Sequence, residues 1–257
     1  IVVYNDKGQF LWELRIIPEG SRAKNDIYGG LAINKDRLAV TSSFGELLLI
    51  SISKRRVEWR YDFKRPFRSA PIFHNGFIFG VTGDDIAVSF DVKGKLRWTK
   101  KGPQKNTKVF AAVSPAALGN KVLFPFSGGS LVALKAVNGI EEWEINLENS
   151  NIGSASAVLG DFASDPAVYG STIFGVGAFG ETFSATKSGK VLWRNNIQSS
   201  SRLVVSGNSA FYSSNNSLIG RINSKNGKIV FLKEFTGKRW AKSHGPILLQ
   251  NKLLVLA

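Results

Sequence analysis

The sequence of 257 residues contains no cysteine and no methionine, and only two histidines. Without cysteine, the chain has no disulfide framework, no thiolate metal site and no cysteine nucleophile. It also has no run of 18 apolar residues and no basic-then-apolar segment at its start, so neither a membrane-spanning helix nor a signal peptide is predicted. Because Ile1–Tyr4 reads as the middle of a strand, we expect the gene product to begin upstream of Ile1.

Common motifs of enzyme chemistry are missing as well. There is no P-loop, no Gly-x-Ser-x-Gly elbow and no His-Glu-x-x-His sequence. His74 and His244 have no cysteine or carboxylate partner at the spacing of metal ligands, so we interpret both as surface or turn residues.

Two acidic pairs are candidates for calcium binding or acid–base work. Asp84-Asp85 follows Gly83 in a predicted turn, and we interpret it as a solvated turn. Asp161 and Asp165 lie in a long connection just before a predicted strand, where functional residues are more common than in tight turns.

A repeat dominates the sequence. A glycine stands four residues before a large aromatic residue in five copies, and a sixth copy has arginine in place of the glycine. The pairs are Gly8/Trp12, Arg55/Trp59, Gly94/Trp98, Gly139/Trp143, Gly189/Trp193 and Gly227/Phe231. Trp12 and Phe231 are 219 residues apart, which gives a mean period of about 44 residues over five intervals. This period is typical of a four-stranded propeller blade.

Turn residues separate short apolar runs throughout each repeat, as Gly119-Asn120 does between 115–118 and 121–124. Glycine and asparagine adopt the positive φ of tight hairpin turns at low cost, and no segment has a helical apolar period. We therefore predict an all-β fold, a propeller of four-stranded antiparallel blades forming a single domain over residues 1–257. The five complete blades are predicted at 27–62, 68–100, 111–147, 162–197 and 201–235.

Both ends of the chain fall inside a repeat, with the last two strands of a blade at the start and the first two strands of another at the end. The two ends either combine into a sixth blade or belong to further blades outside this sequence. The repeated tryptophans are predicted to lie across the neighbouring blade, where each buries on the order of 150–250 Å². Trp240 is outside the register and is interpreted as a loop residue.

The formal net charge is +15. Lysine and arginine recur in the predicted turns rather than in one block, as in 54–56, 93–95, 187–190 and 225–228. They are interpreted either as solubilising charges on hairpin tips or as a functional basic face.

The repeat resembles that of the propellers of the pyrroloquinoline-quinone type. The resemblance rests on Leu-x-Ala-Leu followed by Gly-x-x-x-Trp, seen in 131–134 with Gly139 and Trp143, and in 183–185 with Gly189 and Trp193. Along its whole length the chain is most similar to one family of outer-membrane β-barrel assembly factors, the periplasmic lipoprotein propellers of the outer-membrane barrel assembly machine.

This resemblance implies a non-catalytic scaffold of eight blades, without a cofactor, at the periplasmic face of the bacterial outer membrane. The implied partners are the periplasmic domains of the barrel-forming subunit and unfolded outer-membrane proteins. No nucleic-acid partner is implied, and membrane contact would come only through a lipid anchor outside this chain.

In that family two neighbouring inter-blade loops dock onto the barrel-forming subunit. The matching positions are Lys108-Val109-Phe110 and Asp161-Phe162-Ala163, the latter followed by Asp165. Phe110 stands where the family has an arginine, and Ala163 replaces the second aspartate of an Asp-x-Asp. We expect both loops on one face, with Phe110 and Phe162 exposed; the alternative is that either phenylalanine fills a gap between blades.

Two other functions remain open from the sequence. One is a quinone-dependent dehydrogenase or a degenerate ligand sensor of that type, which would need a cation and a cofactor site in the central channel. The other is a binder of nucleic acid or of an anionic surface, whose affinity would fall steeply with salt.

Overall fold

The structure is a computed structural model that describes residues 1–17, 29–103, 112–147, 161–178, 180–197, 199, 201–214, 218–234, 244–250 and 252–256. Within these ranges the regular secondary structure is entirely strand, and no helix is long and apolar enough to cross a membrane.

The strands group in chain order into five complete sheets, here called blades I to V, flanked by two hairpins. The two hairpins are β1 (Val2–Tyr4) with β2 (Phe10–Glu13) at the start, and β23 (His244–Leu249) with β24 (Lys252–Leu256) at the end. Blade I is β3 (Gly29–Asn34), β4 (Arg37–Ser42), β5 (Glu46–Ser51) and β6 (Arg56–Asp62), and blade II is β7 (Ile72–His74), β8 (Phe77–Val81), β9 (Ile86–Asp91) and β10 (Leu96–Lys101). Blade III is β11 (Ala116–Leu118), β12 (Lys121–Phe126), β13 (Ser130–Lys135) and β14 (Glu141–Asn146), blade IV is β15 (Ala167–Tyr169), β16 (Thr172–Val176), β17 (Glu181–Thr186) and β18 (Val191–Asn196), and blade V is β19 (Val204–Ser206), β20 (Ser209–Ser213), β21 (Leu218–Asn223) and β22 (Ile229–Glu234). The predicted propeller and its five blades are confirmed, and only β10 extends one residue past its predicted span.

Within each blade the four strands are antiparallel and lie in sequence order. The first strands of successive blades contact one another, which places them innermost around the channel. Burial follows from this order, because the middle strands are covered on both sides by neighbouring blades. All of β5 is buried, whereas the outer strand β6 alternates between exposed and half-buried residues.

The core is a series of interfaces between consecutive blades. One cluster joins Leu47 and Leu49 of blade I to Ile78, Val88 and Phe90 of blade II. Corresponding clusters join blade II to III, III to IV and IV to V, and a fifth packs the first hairpin on blade I. Each blade is therefore stabilised mainly by its two neighbours, as in other repeat proteins.

The repeated tryptophans cross these interfaces as predicted. The four tryptophans of blades I to IV each lie on the turn between the third and fourth strands of the next blade, and the indole N–H donates to a carbonyl of that turn. Trp59 Nε1 donates to Val92 O (3.1 Å), Trp98 Nε1 to Ala136 O (3.0 Å), Trp143 Nε1 to Lys187 O (3.1 Å) and Trp193 Nε1 to Ser224 O (2.9 Å). Phe231 of blade V is 41% exposed, because the described chain supplies no such turn beyond it. Trp240 lies outside the described residues.

The turn glycine has two functions here. Gly189 has φ +84°, a conformation that residues with a side chain rarely adopt, and an added Cβ would lie 2.7 Å from Cγ of Trp143. Arg55 takes the same left-handed backbone conformation in blade I, with φ +52° and no glycine. The glycine therefore sets the turn and also lets the indole lie against the backbone.

Each aromatic residue of the repeat also follows a β-bulge. In all five blades the register between the third and fourth strands shifts by one residue just before it, as between Leu49↔Trp59 and Ile50↔Val57. A bulge turns the next side chain relative to the sheet. The five residues from glycine to aromatic therefore contain the turn and the bulge that direct the ring at the next blade.

Candidate partner-binding site

The two ends of the antiparallel blades form two different faces. Turns between first and second and between third and fourth strands lie at one end, called the hairpin face. Turns between second and third strands and the connections between blades lie at the other, called the loop face. The predicted docking segment at 161–163 belongs to the loop face. Lys108, Val109 and Phe110 lie outside the described residues, whereas 161–166 are described.

Segment 161–163 extends the pairing of blade IV. Phe162 forms a bridge with Gly177, Ala163 N donates to Val176 O (2.8 Å), and Ala178 N donates to Asp161 O (2.8 Å). The backbone of the predicted docking loop is thus fixed to the second strand of its own blade before β15 begins.

Phe162 is fully buried, so the expectation that it is exposed is wrong, and the alternative that it fills a gap between blades is correct. Its ring packs edge-on against the ring of Phe183, with 6.4 Å between the two ring centroids, and belongs to the cluster between blades III and IV. The reason is Gly175, where an added Cβ would lie 3.1 Å from Cε1 of Phe162. The aromatic ring occupies the space that a side chain at residue 175 would otherwise take.

A sequence signal for this burial was available. Phe67 is the counterpart of Phe162 in blade II: it bridges Thr82, is 1% exposed and packs on Gly80. In both blades the phenylalanine precedes the glycine by 13 residues, and the glycine stands within Ile-Phe-Gly-Val. Comparison of the two repeats would have predicted a core residue.

The neighbours of Phe162 are also largely covered. Asp161 is 4% exposed, and its Oδ1 accepts the backbone N–H of Phe162 (2.8 Å). Ala163 is half-buried and packs against the cluster between blades IV and V. These contacts make 161–163 a rigid support of the loop face rather than a protruding loop.

Asp165 joins this connection to the preceding one. Its Oδ1 accepts the backbone N–H of Ser114 at 2.6 Å, and Ser114 follows the predicted segment 108–110 by four residues. Burial raises the pKa of Asp165, against the smaller opposite effects of the Ser114 bond and of the positive charge on Arg202. Arg202, exposed, lines a cleft of about 240 Å³ between β15 and β19 together with Ala167, Val168 and Leu203.

A buried ion pair next to this region was not predicted. Arg68 Nη1 donates to Asp85 Oδ1 (3.0 Å) and to Ser127 Oγ (2.9 Å), and Arg68 Nη2 donates to Pro125 O. The N–H and hydroxyl of Ser127 both donate to Asp85 Oδ1 at 3.0 Å, so the pair joins blades II and III. Burial lowers the pKa of Arg68, and the charges of Asp85 and Asp161 oppose that shift.

The interpretation of Asp84-Asp85 as a solvated turn is therefore wrong for Asp85, whose side chain is 6% exposed. It holds for Asp84, whose exposed side chain pairs with Arg65 and accepts from Thr82 Oγ1 (2.6 Å). The signal for Asp85 is its backbone: it has φ +65° at a turn position that is glycine in blades I, III and IV, namely Gly45, Gly129 and Gly180. A carboxylate in place of this glycine indicates that the side chain binds specific partners in the fold.

The described histidine side chain has a plain role in a turn. His74 Nε2 lies 2.6 Å from Gly119 O and joins the turns of blades II and III, in agreement with its interpretation as a turn residue. The side chain of His244 lies outside the described part. Among the described residues, no group of three His, Asp or Glu side chains is arranged to hold a metal ion.

Comparison with known proteins agrees with the fold. The sequence model of the family described as outer membrane protein assembly factor BamB matches residues 1–232. A curated relative, the outer membrane protein assembly factor BamB of Bordetella pertussis, is 22% identical over 206 residues, which are 73% of this chain and 53% of the relative. The chain thus spans about half the length of that relative.

Solved structures show the same architecture. BamB from Moraxella catarrhalis superposes with a TM-score of 0.83 at 16% identity, covering 96% of this chain and 74% of that protein. The quinohemoprotein alcohol dehydrogenase of Comamonas testosteroni is a more distant fold neighbour, with a TM-score of 0.65 at 13% identity and coverage of 82% and 43%. The match of the family model over 1–232, together with the propeller fold, shows that the chain belongs to the outer membrane protein assembly factor BamB family.

Proposed function

We propose that the chain is a non-catalytic scaffold that binds the periplasmic domains of the barrel-forming subunit through the loop face between blades III and IV. In this proposal it lies at the periplasmic face of the outer membrane, held by a lipid anchor outside this chain, and aids the folding and insertion of β-barrel proteins. Family membership supports the role in β-barrel assembly, and the contact between Ser114 and Asp165 supports the choice of this surface.

The observation that carries the location is the hydrogen bond from Ser114 N to Asp165 Oδ1, at 2.6 Å. It ties together the connections before β11 and β15, the two that contain the predicted docking residues. The bond fixes the described ends of these two connections, at Ser114 and Asp165, against each other, and pre-organisation of a binding surface lowers the entropy cost of association.

Within this surface the residues have different tasks. Asp161 and Phe162 are buried, so they position the loop and have little side-chain surface to offer a partner. We assign direct contact to Lys108, Val109 and Phe110, with Ala163 and Asp165 at the edge of the surface. An apolar residue beside a cation is a composition typical of binding hot spots.

The absence of catalysis is part of the proposal. The chain has no cysteine, and the described residues offer no cluster of ionisable side chains for holding a cation in the channel. The fold likeness to quinohemoprotein dehydrogenases, at 13% identity, extends to the architecture only.

The test is a binding titration of the purified chain against the periplasmic domains of the barrel-forming subunit. The variant Lys108→Glu/Phe110→Ala is expected to bind at least tenfold more weakly while its melting transition stays within about 2 °C of the wild type. The control Lys233→Glu/Leu192→Ala makes the same change of charge and also truncates an exposed apolar side chain, at positions of the outer strands β22 and β18 away from this surface, and should bind normally.

Unchanged binding by the first variant would exclude this surface. An equal loss in both variants would show that net charge, rather than the loop face, controls the interaction. Phe162→Ala serves as a third variant: it is expected to lower the melting temperature, because it removes a fully buried ring.

A further inference from the structure

Among the turns within the blades, the basic residues are concentrated on the hairpin face. The five turns between third and fourth strands contain eight cations and no acidic residue: Lys54, Arg55, Lys93, Lys95, Lys187, Lys190, Lys225 and Lys228. All eight are exposed. The five turns between second and third strands, on the loop face, contain no cation and the two carboxylates Asp84 and Asp85.

The cations on the two faces also differ in their pairing. On the loop face, Lys64, Arg65 and Arg68 each form an ion pair with a nearby aspartate. Across the described part of the chain, none of the eight hairpin-face cations is in an ion pair. Lys101 and Arg202 on the loop face are exposed and, among the described residues, in no ion pair. The two faces therefore differ in the turns within the blades, because the turns between third and fourth strands have exposed cations and no carboxylate.

Two of the carboxylates near these turns hold the backbone, whereas Glu58 and Glu142 form ion pairs with Arg37 and Lys121. Asp91 Oδ1 accepts the N–H groups of Lys93 (2.9 Å) and Lys95 (3.0 Å). Asp36 accepts from the side chain and backbone of Ser53, and these bonds lower its pKa. Asp36 and Asp91 offset part of the positive charge. Because they fix the turn backbone, they also fix the positions from which the lysine side chains extend.

The hairpin face is continuous from blade to blade. His74 of blade II contacts Gly119 O of blade III, Lys121 Nζ donates to Lys187 O (3.1 Å) of blade IV, and Gly207 N of blade V donates to the hydroxyl of Tyr169 (3.0 Å). Because the tryptophan contacts fix each turn against the preceding blade, equivalent cations recur at equivalent heights around the arc. The result is an array of exposed cations that continues from blade to blade and that, among the described residues, forms no ion pair.

The turn of blade III is the exception to the lysine pattern, and it is apolar. Val137 and Ile140 are 63% and 55% exposed there, between the half-buried Lys135 and the exposed Glu141 and Glu142. Exposed aliphatic side chains among lysines are typical of surfaces that enter the headgroup region of a bilayer.

From these observations we infer that the hairpin face binds the surface of an anionic phospholipid bilayer. Each lysine or arginine close to such a surface adds to the attraction, so several turns acting together hold the protein at moderate salt. A planar bilayer can meet all five turns at once, whereas a nucleic-acid duplex is a narrow rod that meets only some. The five turns also have no aromatic residue on which the bases of a single strand could stack. This contact would add to the membrane contact through a lipid anchor; it lies on the opposite face from the proposed docking surface and does not depend on it.

The test is sedimentation of the 257-residue chain with vesicles of phosphatidylglycerol and phosphatidylethanolamine, compared with vesicles of phosphatidylcholine alone. We expect binding to the anionic vesicles only, lost at about 0.5 M NaCl as screening shortens the range of the attraction. The variant Lys187→Gln/Lys190→Gln/Lys225→Gln/Lys228→Gln should bind at least tenfold more weakly.

The control variant Arg15→Gln/Lys64→Gln/Lys101→Gln/Lys233→Gln removes the same charge from exposed positions near the loop face and should bind as the wild type does. Equal losses in both variants, or no loss in the first, would overturn the assignment of the face. Failure of the wild type to bind anionic vesicles would overturn the proposal, and tight binding to random-sequence duplex DNA in that case would identify a nucleic-acid surface instead. Circular dichroism of each variant verifies that it is folded.

Discussion

Alanine at Gly189 tests the contact between tryptophan and turn that joins each blade to the next. Gly189 has φ +84°, and a Cβ there would lie 2.7 Å from Cγ of Trp143, well inside van der Waals contact. The left-handed conformation costs a residue with a side chain about 1–2 kcal/mol. Displacing the indole adds the cost of overpacking, about 1–3 kcal/mol. Gly189→Ala should therefore lower the free energy of unfolding by about 2–5 kcal/mol.

Gly170 provides the matched control. It has φ +59° in the same blade, but no atom lies within 4 Å of an added Cβ, so Gly170→Ala should cost only the backbone part, about 1–2 kcal/mol. The assay is equilibrium unfolding in guanidinium chloride followed by circular dichroism, which does not rely on the tryptophan signal.

The contact term is isolated by a double-mutant cycle. Trp143→Ala alone is expected to cost about 2–4 kcal/mol, somewhat under the range for a fully buried aromatic, because Trp143 is half-buried. In the Trp143→Ala background, Gly189→Ala should cost no more than Gly170→Ala does. An equal cost of Gly189→Ala in both backgrounds would refute the role of the indole.

Two further predictions concern the loop face. Arg68→Met removes the cation that pairs with the buried carboxylate of Asp85 and should destabilise the fold by about 3–5 kcal/mol. Arg68→Met/Asp85→Gly restores the glycine found in other blades and should recover most of this loss in a denaturant titration. A double variant as unstable as the single one would contradict the pairing. Since burial raises the pKa of Asp165, its ionisation disfavours the folded state, and wild-type stability falls as pH rises through the folded pKa. Asp165→Asn keeps an acceptor for Ser114 N and should therefore gain stability relative to wild type at pH 7 but not at pH 3; a relative stability independent of pH would show that the carboxylate is not desolvated.

The blades were predictable because their determinants are local. The turn, the bulge and the aromatic ring all lie within five residues, as in 139–143, and each residue type has one physical use there. Copies of the same string along the chain then fix the period and the blade boundaries. What this local reasoning did not show is the bulge itself, since it depends on pairing with the third strand of the same blade.

The candidate site was less predictable because its determinants are distant in sequence. The burial of Phe162 depends on the missing side chain at Gly175 and on the ring of Phe183, and position in an inter-blade connection carries no information about either. The difference between Asp84 and Asp85 likewise depends on partners elsewhere in the chain, Arg65 for the first and Arg68 with Ser127 for the second. Alignment of blade II with blade IV would have resolved the first case, and the glycines of the other blades the second.

The tryptophan contacts give the molecule a direction of assembly. Each indole binds a turn that comes later in the chain: Trp59 binds the carbonyl of Val92, 33 residues downstream, and Trp193 that of Ser224, 31 residues downstream. During synthesis from the amino-terminal end, the indole of the last completed blade would stay exposed until the next blade forms its turn and covers it. Folding would then advance one blade at a time, with the bonding partners of each indole near in sequence.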